Sequence, residues 1–206
     1  MFNLSTQEVV LSIEKTPVIK EKQFVYQHYH NFFGNLQELE LDIDNLNFDS
    51  LENQENYPRK RLSYNEKLSK QLHIFFMNSK ITNALAKKFN TDLRFESVDI
   101  WTDNKGYHLL PHIDNSSIKL ALQIYLSEDN IGTSLYNEDK KIKTFTFEPN
   151  SGYALLNTKN SFHGVDKIEK DGRSSLSLDI LNKEYICQLI NHRSYSFQTS
   201  NPNTFH

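Results

Sequence analysis

The chain is poor in residues that staple, stiffen or interrupt a fold: its 206 residues include one cysteine, Cys187, five prolines and six glycines. A lone thiol closes no internal disulfide, which excludes the frameworks of small secreted domains. No apolar h-region follows Met1, and no apolar run approaches the roughly 20 residues that cross a bilayer, so the sequence offers no case for secretion or a membrane span. The expected setting is therefore cytoplasmic and reducing. No repeat is visible, and so few prolines and glycines support neither a solenoid nor a Pro-rich linker. Positive charge is also short, with Lys+Arg at 23 against Asp+Glu at 26 and a net charge of -3. That balance lacks the basic footprint of a nucleic-acid binder. Arginine is the scarcest base, at Arg59, Arg61, Arg94, Arg173 and Arg193.

What is present suffices for a core, with 37% hydrophobic and 12% aromatic residues. The length predicts a single domain over 1–206. Its character changes near residue 95. Before that point Val9 to Ile13 and Thr16 to Tyr29 read as short strands or a strand leading into a helix, and Leu36 to Leu51 is acidic and unassigned. Lys67 to Phe89 carries Leu68, Leu72, Phe75, Phe76, Ile81, Leu85 and Phe89 at helical spacings, with Asn78-Ser79 at a capping position.

Beyond residue 95 the period falls to two. Ile118, Leu120, Leu122, Ile124 and Leu126 alternate with polar or small residues, as do Leu176, Leu178 and Ile180. Further strands are expected at Ser97 to Thr102, Lys143 to Glu148, Tyr153 to Asn157 and Phe162 to Ile168, separated by turns at Asn130-Ile131-Gly132, Pro149 to Gly152 and Lys170-Asp171-Gly172. Many short strands suggest a sandwich or barrel with its apolar outer face on the N-terminal helices. Gln123, Tyr125, Arg173 and Ser175 then face the barrel interior.

His112 and Asp114 stand two residues apart, which on extended chain puts both side chains on one face and suits two ligands of one metal. With 8 histidines in the chain, chance alone supplies about half of one His-x-Asp per chain of this composition. The pair gains weight from His163, 49 residues after Asp114, and from Arg173, ten residues later, with Ser175 on the same strand face. Two imidazoles and a carboxylate form the facial triad of non-haem Fe(II) oxygenases, and an interior guanidinium offers a fork for a carboxylate.

This order resembles the Fe(II)- and 2-oxoglutarate-dependent dioxygenases, in their prolyl 4-hydroxylase-like branch. Ala121 to Ser127 with Gly132 to Leu135 is similar to the strand, turn and strand after the His-x-Asp of that branch, and Ser151 to Leu156 to the strand before the distal histidine. The likeness covers about Phe95 to Leu181. It implies an α+β fold: a double-stranded β-helix, a distorted jelly-roll like that of cupins, with N-terminal helices packed on its major sheet. The expected division is 1–95 as a mixed helical support, 96–185 as the double-stranded β-helix core and 186–206 as a C-terminal extension. The resemblance assigns His112, Asp114 and His163 to Fe(II). It assigns Arg173, with Ser175 and Tyr125, to the 5-carboxylate of the co-substrate 2-oxoglutarate, and it implies dioxygen as oxidant with release of succinate and CO2. A carboxylate at position 114, where halogenating members have a small residue, implies hydroxylation.

Nucleic-acid demethylases carry a second arginine six residues after the first, where this chain has Asp179. That departure, with the acidity, disfavours nucleic acid as a partner and leaves a small-molecule or peptidyl substrate, such as an amino acid or a prolyl side chain. Gly132-Thr133 matches the Gly-Gly pair of the branch in part. The rival readings are a noncatalytic jelly-roll module binding a metal or ligand, and a cupin-like metal enzyme of other chemistry. His28 with His30 repeats the i, i+2 spacing without a carboxylate. His108 reads as structural or as an outer neighbour of the triad, and Trp101, Asn115 and Asn157 as candidate lining. Arg59 and Arg61 read as a basic loop, either solvated or covering the barrel mouth.

Overall fold

The computed structural model describes residues 4–34, 45–50, 58–138 and 140–182. The extension over 186–206, Cys187 and most of Leu36 to Leu51 lie outside them. Among the described residues three helices come early in the chain. In α1 (Thr6–Lys15), Ser5 caps the N-terminus by accepting from the Glu8 N–H, and Val9 and Ile13 bury one turn apart. This corrects the strand reading of Val9 to Ile13, since a capped segment with apolar residues four apart satisfies its backbone and core face together as a helix. Helices α2 (Lys67–Phe76) and α3 (Ser79–Phe89) are separated at Met77 and Asn78, whose Oδ1 accepts from the Lys80 N–H. Asn90 ends α3 in the left-handed region at φ 49°.

Twelve strands among the described residues follow the sequence as β1 (Ile19–Glu21), β2 (Phe24–Tyr29), β3 (Phe48–Ser50), β4 (Arg59–Leu62), β5 (Leu93–Asp103), β6 (Leu109–His112), β7 (Ile118–Tyr125), β8 (Ser134–Asn137), β9 (Lys140–Thr144), β10 (Gly152–Leu156), β11 (His163–Val165) and β12 (Arg173–Asn182). They form an eight-stranded sheet in the order β1-β2-β10-β7-β12-β5-β4-β3 and a four-stranded sheet in the order β6-β11-β8-β9. Every pairing is antiparallel. No helix among the described residues is long and apolar enough to cross a membrane.

Three further expected elements differ. Arg59 and Arg61 lie on β4 rather than in a loop, because Arg59 to Arg61 pair with Asp103 to Trp101 of β5 and extend the large sheet. The strand expected from Lys143 to Glu148 is β9, ending at Thr144, because Phe145 and Phe147 turn inward to bury. From Phe162 to Ile168 only β11 is strand, and Ile168 instead donates its N–H to the Tyr107 carbonyl at 2.8 Å.

The alternation of β7 and β12 holds: Leu120, Leu122, Ile124, Leu176, Leu178 and Ile180 are buried and pack with Val9, Ile13, Leu72, Phe76 and Leu85 of the helices. Each such side chain contributes about 1.5–3 kcal/mol when removed from water. A second cluster, including Tyr26, Tyr125, Leu135, Phe145 and Phe147, joins the two sheets. Between the sheets the opposite faces of β5, β7 and β12 present Asp103, Gln123, Tyr125, Arg173 and Ser175, all buried. Sheet parity thus fixes which polar groups reach the interior.

Candidate metal centre

His112 closes β6 and His163 opens β11, and the two are directly opposite in the antiparallel register. Their ring centroids lie 4.5 Å apart. Asp114 follows in the loop before β7, with Oδ1 3.6 Å from His112 Nε2 and 3.5 Å from His163 Nε2. One ligand atom from each residue lies within 4.8 Å of the others. Donors bound at about 2.1 Å to one ion stand about 3 to 4 Å apart, so this set fits a single metal.

The histidines are oriented from behind. His112 Nδ1 is 3.0 Å from the Leu110 carbonyl and His163 Nδ1 is 3.0 Å from the Ser161 carbonyl. A carbonyl only accepts, so each Nδ1 carries its proton, and Nε2 is left as the atom that faces Asp114 and that binds a metal once it is free of a proton. Burial pushes the Asp114 carboxyl up, but hydrogen bonds and charge from His112 and His163 outweigh it and hold the group well below the usual carboxylate range. The Asp114 contact raises His112, against burial. The donor set therefore matches a divalent cation.

Asn157, expected as pocket lining, instead holds the ligand loops. Its Nδ2 is 3.2, 3.0 and 2.8 Å from the carbonyls of Asp114, Asn115 and Ile118. Its Oδ1 accepts from Ser161 Oγ, in the residue whose carbonyl orients His163. Asn115 Oδ1 accepts from Ser117 N and Oγ, shaping the same loop.

A cavity of about 150 Å³ touches all three triad residues and is lined also by Arg59, Trp101, Gln123, Thr133, Tyr153, Ser177 and Asp179. Arg173, Ser175 and Tyr125 lie behind this lining. Gln123 Nε2 donates to Ser175 Oγ at 3.0 Å, while Gln123 Oε1 accepts from Thr133 Oγ1 and Tyr153 Oη. Tyr125 Oη accepts from the Thr133 N–H at 2.8 Å. Burial raises both phenols, so Tyr125 and Tyr153 stay protonated. Arg173 is fully buried, with Nη1 donating to Asp103 Oδ2 at 2.6 Å and Nε to the Ile131 carbonyl at 2.8 Å. Its Nη2 is buried with no hydrogen-bond partner among the described residues, which fits a guanidinium able to take one more acceptor.

Asp103 also accepts from Arg59 Nε at 2.6 Å. Arg59 and Arg61 flank Trp101, with guanidinium carbons 4.8 and 5.9 Å from the ring centroid, and Trp101 reaches the cavity as expected. His28 and His30 contact each other at 4.6 Å and stand apart from the triad; His108 is exposed, bonded to the Gly106 carbonyl. Asp103, Thr133 and Tyr153 are not marked as site residues by any sequence motif. The only signal for Asp103 is its parity with Asp99 and Trp101 on a strand expected to stop at Thr102.

No protein-family model matches the chain, and no curated protein does. Solved structures do. A prolyl 4-hydroxylase from Phytophthora capsici aligns at TM-score 0.61 and 15% identity, over 89% of this chain and 68% of that one. A Trichoplax adhaerens prolyl hydroxylase, in complex with a hypoxia inducible factor peptide fragment, aligns at TM-score 0.58 and 14% identity, over 88% and 91%. HygX from Streptomyces hygroscopicus, with nickel and 2-oxoglutarate bound, aligns at 0.52 and 12%, over 88% of each chain. In fold, this chain resembles the 2-oxoglutarate- and Fe(II)-dependent oxygenases, prolyl hydroxylases among them.

Proposed function

We propose that the chain is an Fe(II)- and 2-oxoglutarate-dependent dioxygenase of one domain, built on a double-stranded β-helix over 96–185 and working in the cytoplasm. It hydroxylates an amino acid or peptidyl side chain, with a prolyl ring the first to test, and releases succinate and CO2. The observation that carries this reading is the triad itself: two histidines paired across β6 and β11, with Nε2 atoms turned to one ionised carboxylate. Bound there, Fe(II) with 2-oxoglutarate and dioxygen supplies the oxidising chemistry.

The chain's own residues place the reactants. His112, Asp114 and His163 hold the metal from one side and leave the cavity side open. Arg173 pairs with the 5-carboxylate, a role supported by its buried, unpartnered Nη2. Ser175 Oγ and Tyr125 Oη, which accept from Gln123 Nε2 and the Thr133 N–H, keep their own hydroxyl protons to donate beside it. The apolar cluster of Tyr125, Phe145 and Phe147 excludes water from the guanidinium end.

One experiment tests the reading. Fe(II) and 2-oxoglutarate are added anaerobically, the visible charge-transfer band is recorded, and succinate is measured after admission of air. Both signals are expected, and Arg173→Ala should weaken 2-oxoglutarate binding at least tenfold. Folded protein that shows neither signal, and an R173A variant that behaves as wild type, leave a noncatalytic metal-binding module as the reading.

A further inference from the structure

The cavity at the triad carries opposite charge at its two ends. At one end Arg59 lines the cavity and, with Arg173 behind the lining, shares the single carboxylate of Asp103. Asp179 lines the same cavity six residues along β12 from Arg173, on the same strand face and so about 20 Å away at 3.3 Å per residue. Among the described residues no hydrogen bond or ion pair engages the Asp179 carboxylate, and it lies outside the metal-ligating group. Its electrostatic neighbours, Asp114, Asp99 and Glu96, are all acidic. The Arg61 charge acts on Asp99, Arg61 Nη1 donates to Tyr64 Oη and its buried Nε has no hydrogen-bond partner among the described residues, but Arg61 is not among the groups that act on Asp179. Burial, then these three acids, push the Asp179 carboxyl up to about 6. A carboxylate so placed is costly alone and gains most from a cation.

We propose that Asp179 selects a primary substrate bearing an ammonium or guanidinium group and binds that group beside the triad, while the Arg59–Asp103–Arg173 end takes the anionic co-substrate. The inference rests on the oxygenase reading for the identity of the site and adds the charge class of the substrate. The chemistry is complementary at both ends. An anion is drawn toward the shared guanidiniums, and a cation toward the lone carboxylate. A neutral or acidic side chain would cover the part-buried Asp179 without giving it a partner, so discrimination arises from the cost of the wrong ligand as well as the gain of the right one.

The test uses full-length protein loaded with Mn(II) and 2-oxoglutarate, and calorimetric binding of Nα-acetyl-lysine amide and Nα-acetyl-arginine amide against their neutral analogues from norleucine and citrulline. Each cation should bind at least tenfold more tightly than its neutral partner. Asp179→Asn should bring the ratio near one, and Asp179→Lys, as a second variant, should turn preference toward Nα-acetyl-glutamate amide. Far-UV circular dichroism checks that both variants fold. Equal or absent binding of cationic and neutral probes to wild type, or a tenfold preference that survives in D179N, overturns the proposal. Succinate formation by the Fe(II) form is measured in parallel. Succinate without cation preference removes this inference alone, whereas cation preference without succinate removes the oxygenase reading and leaves the charge selection standing.

Discussion

Arg173 and Asp103 face each other across β12 and β5 as register partners, and both side chains are completely buried. Arg59 joins the same carboxylate from β4, so three strands meet in one ionic contact. Removing the shared partner should cost more than removing either arginine contact, because it strands positive charge in the interior. Asp103→Asn is expected to lower stability by about 3–5 kcal/mol, the usual penalty for breaking a buried pair. Urea unfolding of the variant against wild type checks it, and a loss under about 1 kcal/mol, far below that penalty, would show that the guanidiniums find water or other acceptors.

Gly164 follows the second histidine on β11, against β6. A Cβ there would stand 2.5 Å from the Leu109 carbonyl oxygen, a backbone atom that yields only if the strands part. Those strands carry His163 and His112. Gly164→Ala should therefore weaken Mn(II) binding well beyond any change in global stability, with overpacking itself costing about 1–3 kcal/mol. Calorimetric titration with Mn(II), beside a thermal melt, separates the two effects.

Asn157 is not itself a metal ligand, yet it ties the Asp114 loop to Ser161. Replacing it by leucine removes donors from three carbonyls and loosens the carboxylate and His163 together. Partners that orient metal ligands are commonly worth about 10- to 100-fold in affinity. Asn157→Leu should lose Mn(II) affinity in that range, and an unchanged affinity would mean that the loop holds its shape without it.

His28 supplies a pH dependence separate from the triad. Burial, then the neighbouring His30 and Lys143, push it down from 6.5 to about 4, and its Nε2 is buried without a hydrogen-bond partner among the described residues. In the window between those values the unfolded chain binds a proton that the folded protein refuses. The stability tied to a neutral His28 is thus full above pH 6.5 and is lost as pH falls toward 4. His28→Phe should flatten the fall in melting temperature across that window. A variant whose pH profile parallels wild type between 6.5 and 4 would assign the effect to other groups.

Local rules accounted for much of the fold. The alternation in β7 and β12 was legible because a strand with one buried face must repeat every second residue. The break at Asn78 was legible because a side-chain acceptor suits the exposed amides of a helix start. Val9 to Ile13 misled because five residues carry too little periodicity to separate strand from helix, and the decisive cap, Ser5, lies outside them. Arg59 to Leu62 misled because a basic run has no strand signature of its own; pairing with β5 makes it one. At the site, His112 and Asp114 were legible through two-residue spacing, whereas Asn157 could be placed near the pocket but not seen as the brace of its loop.

The sequence by itself determined which faces of the strands are apolar, hence that Gln123, Tyr125, Arg173 and Ser175 turn inward, because side-chain direction in a strand follows from parity alone. Only the tertiary structure decided the rest. It set His163 against His112, gave Arg173 a buried carboxylate partner in Asp103, and left Asp179 in the cavity without a cation among the described residues. Those relations join residues distant in the chain, and register between strands, which no local pattern encodes, is what brings them together.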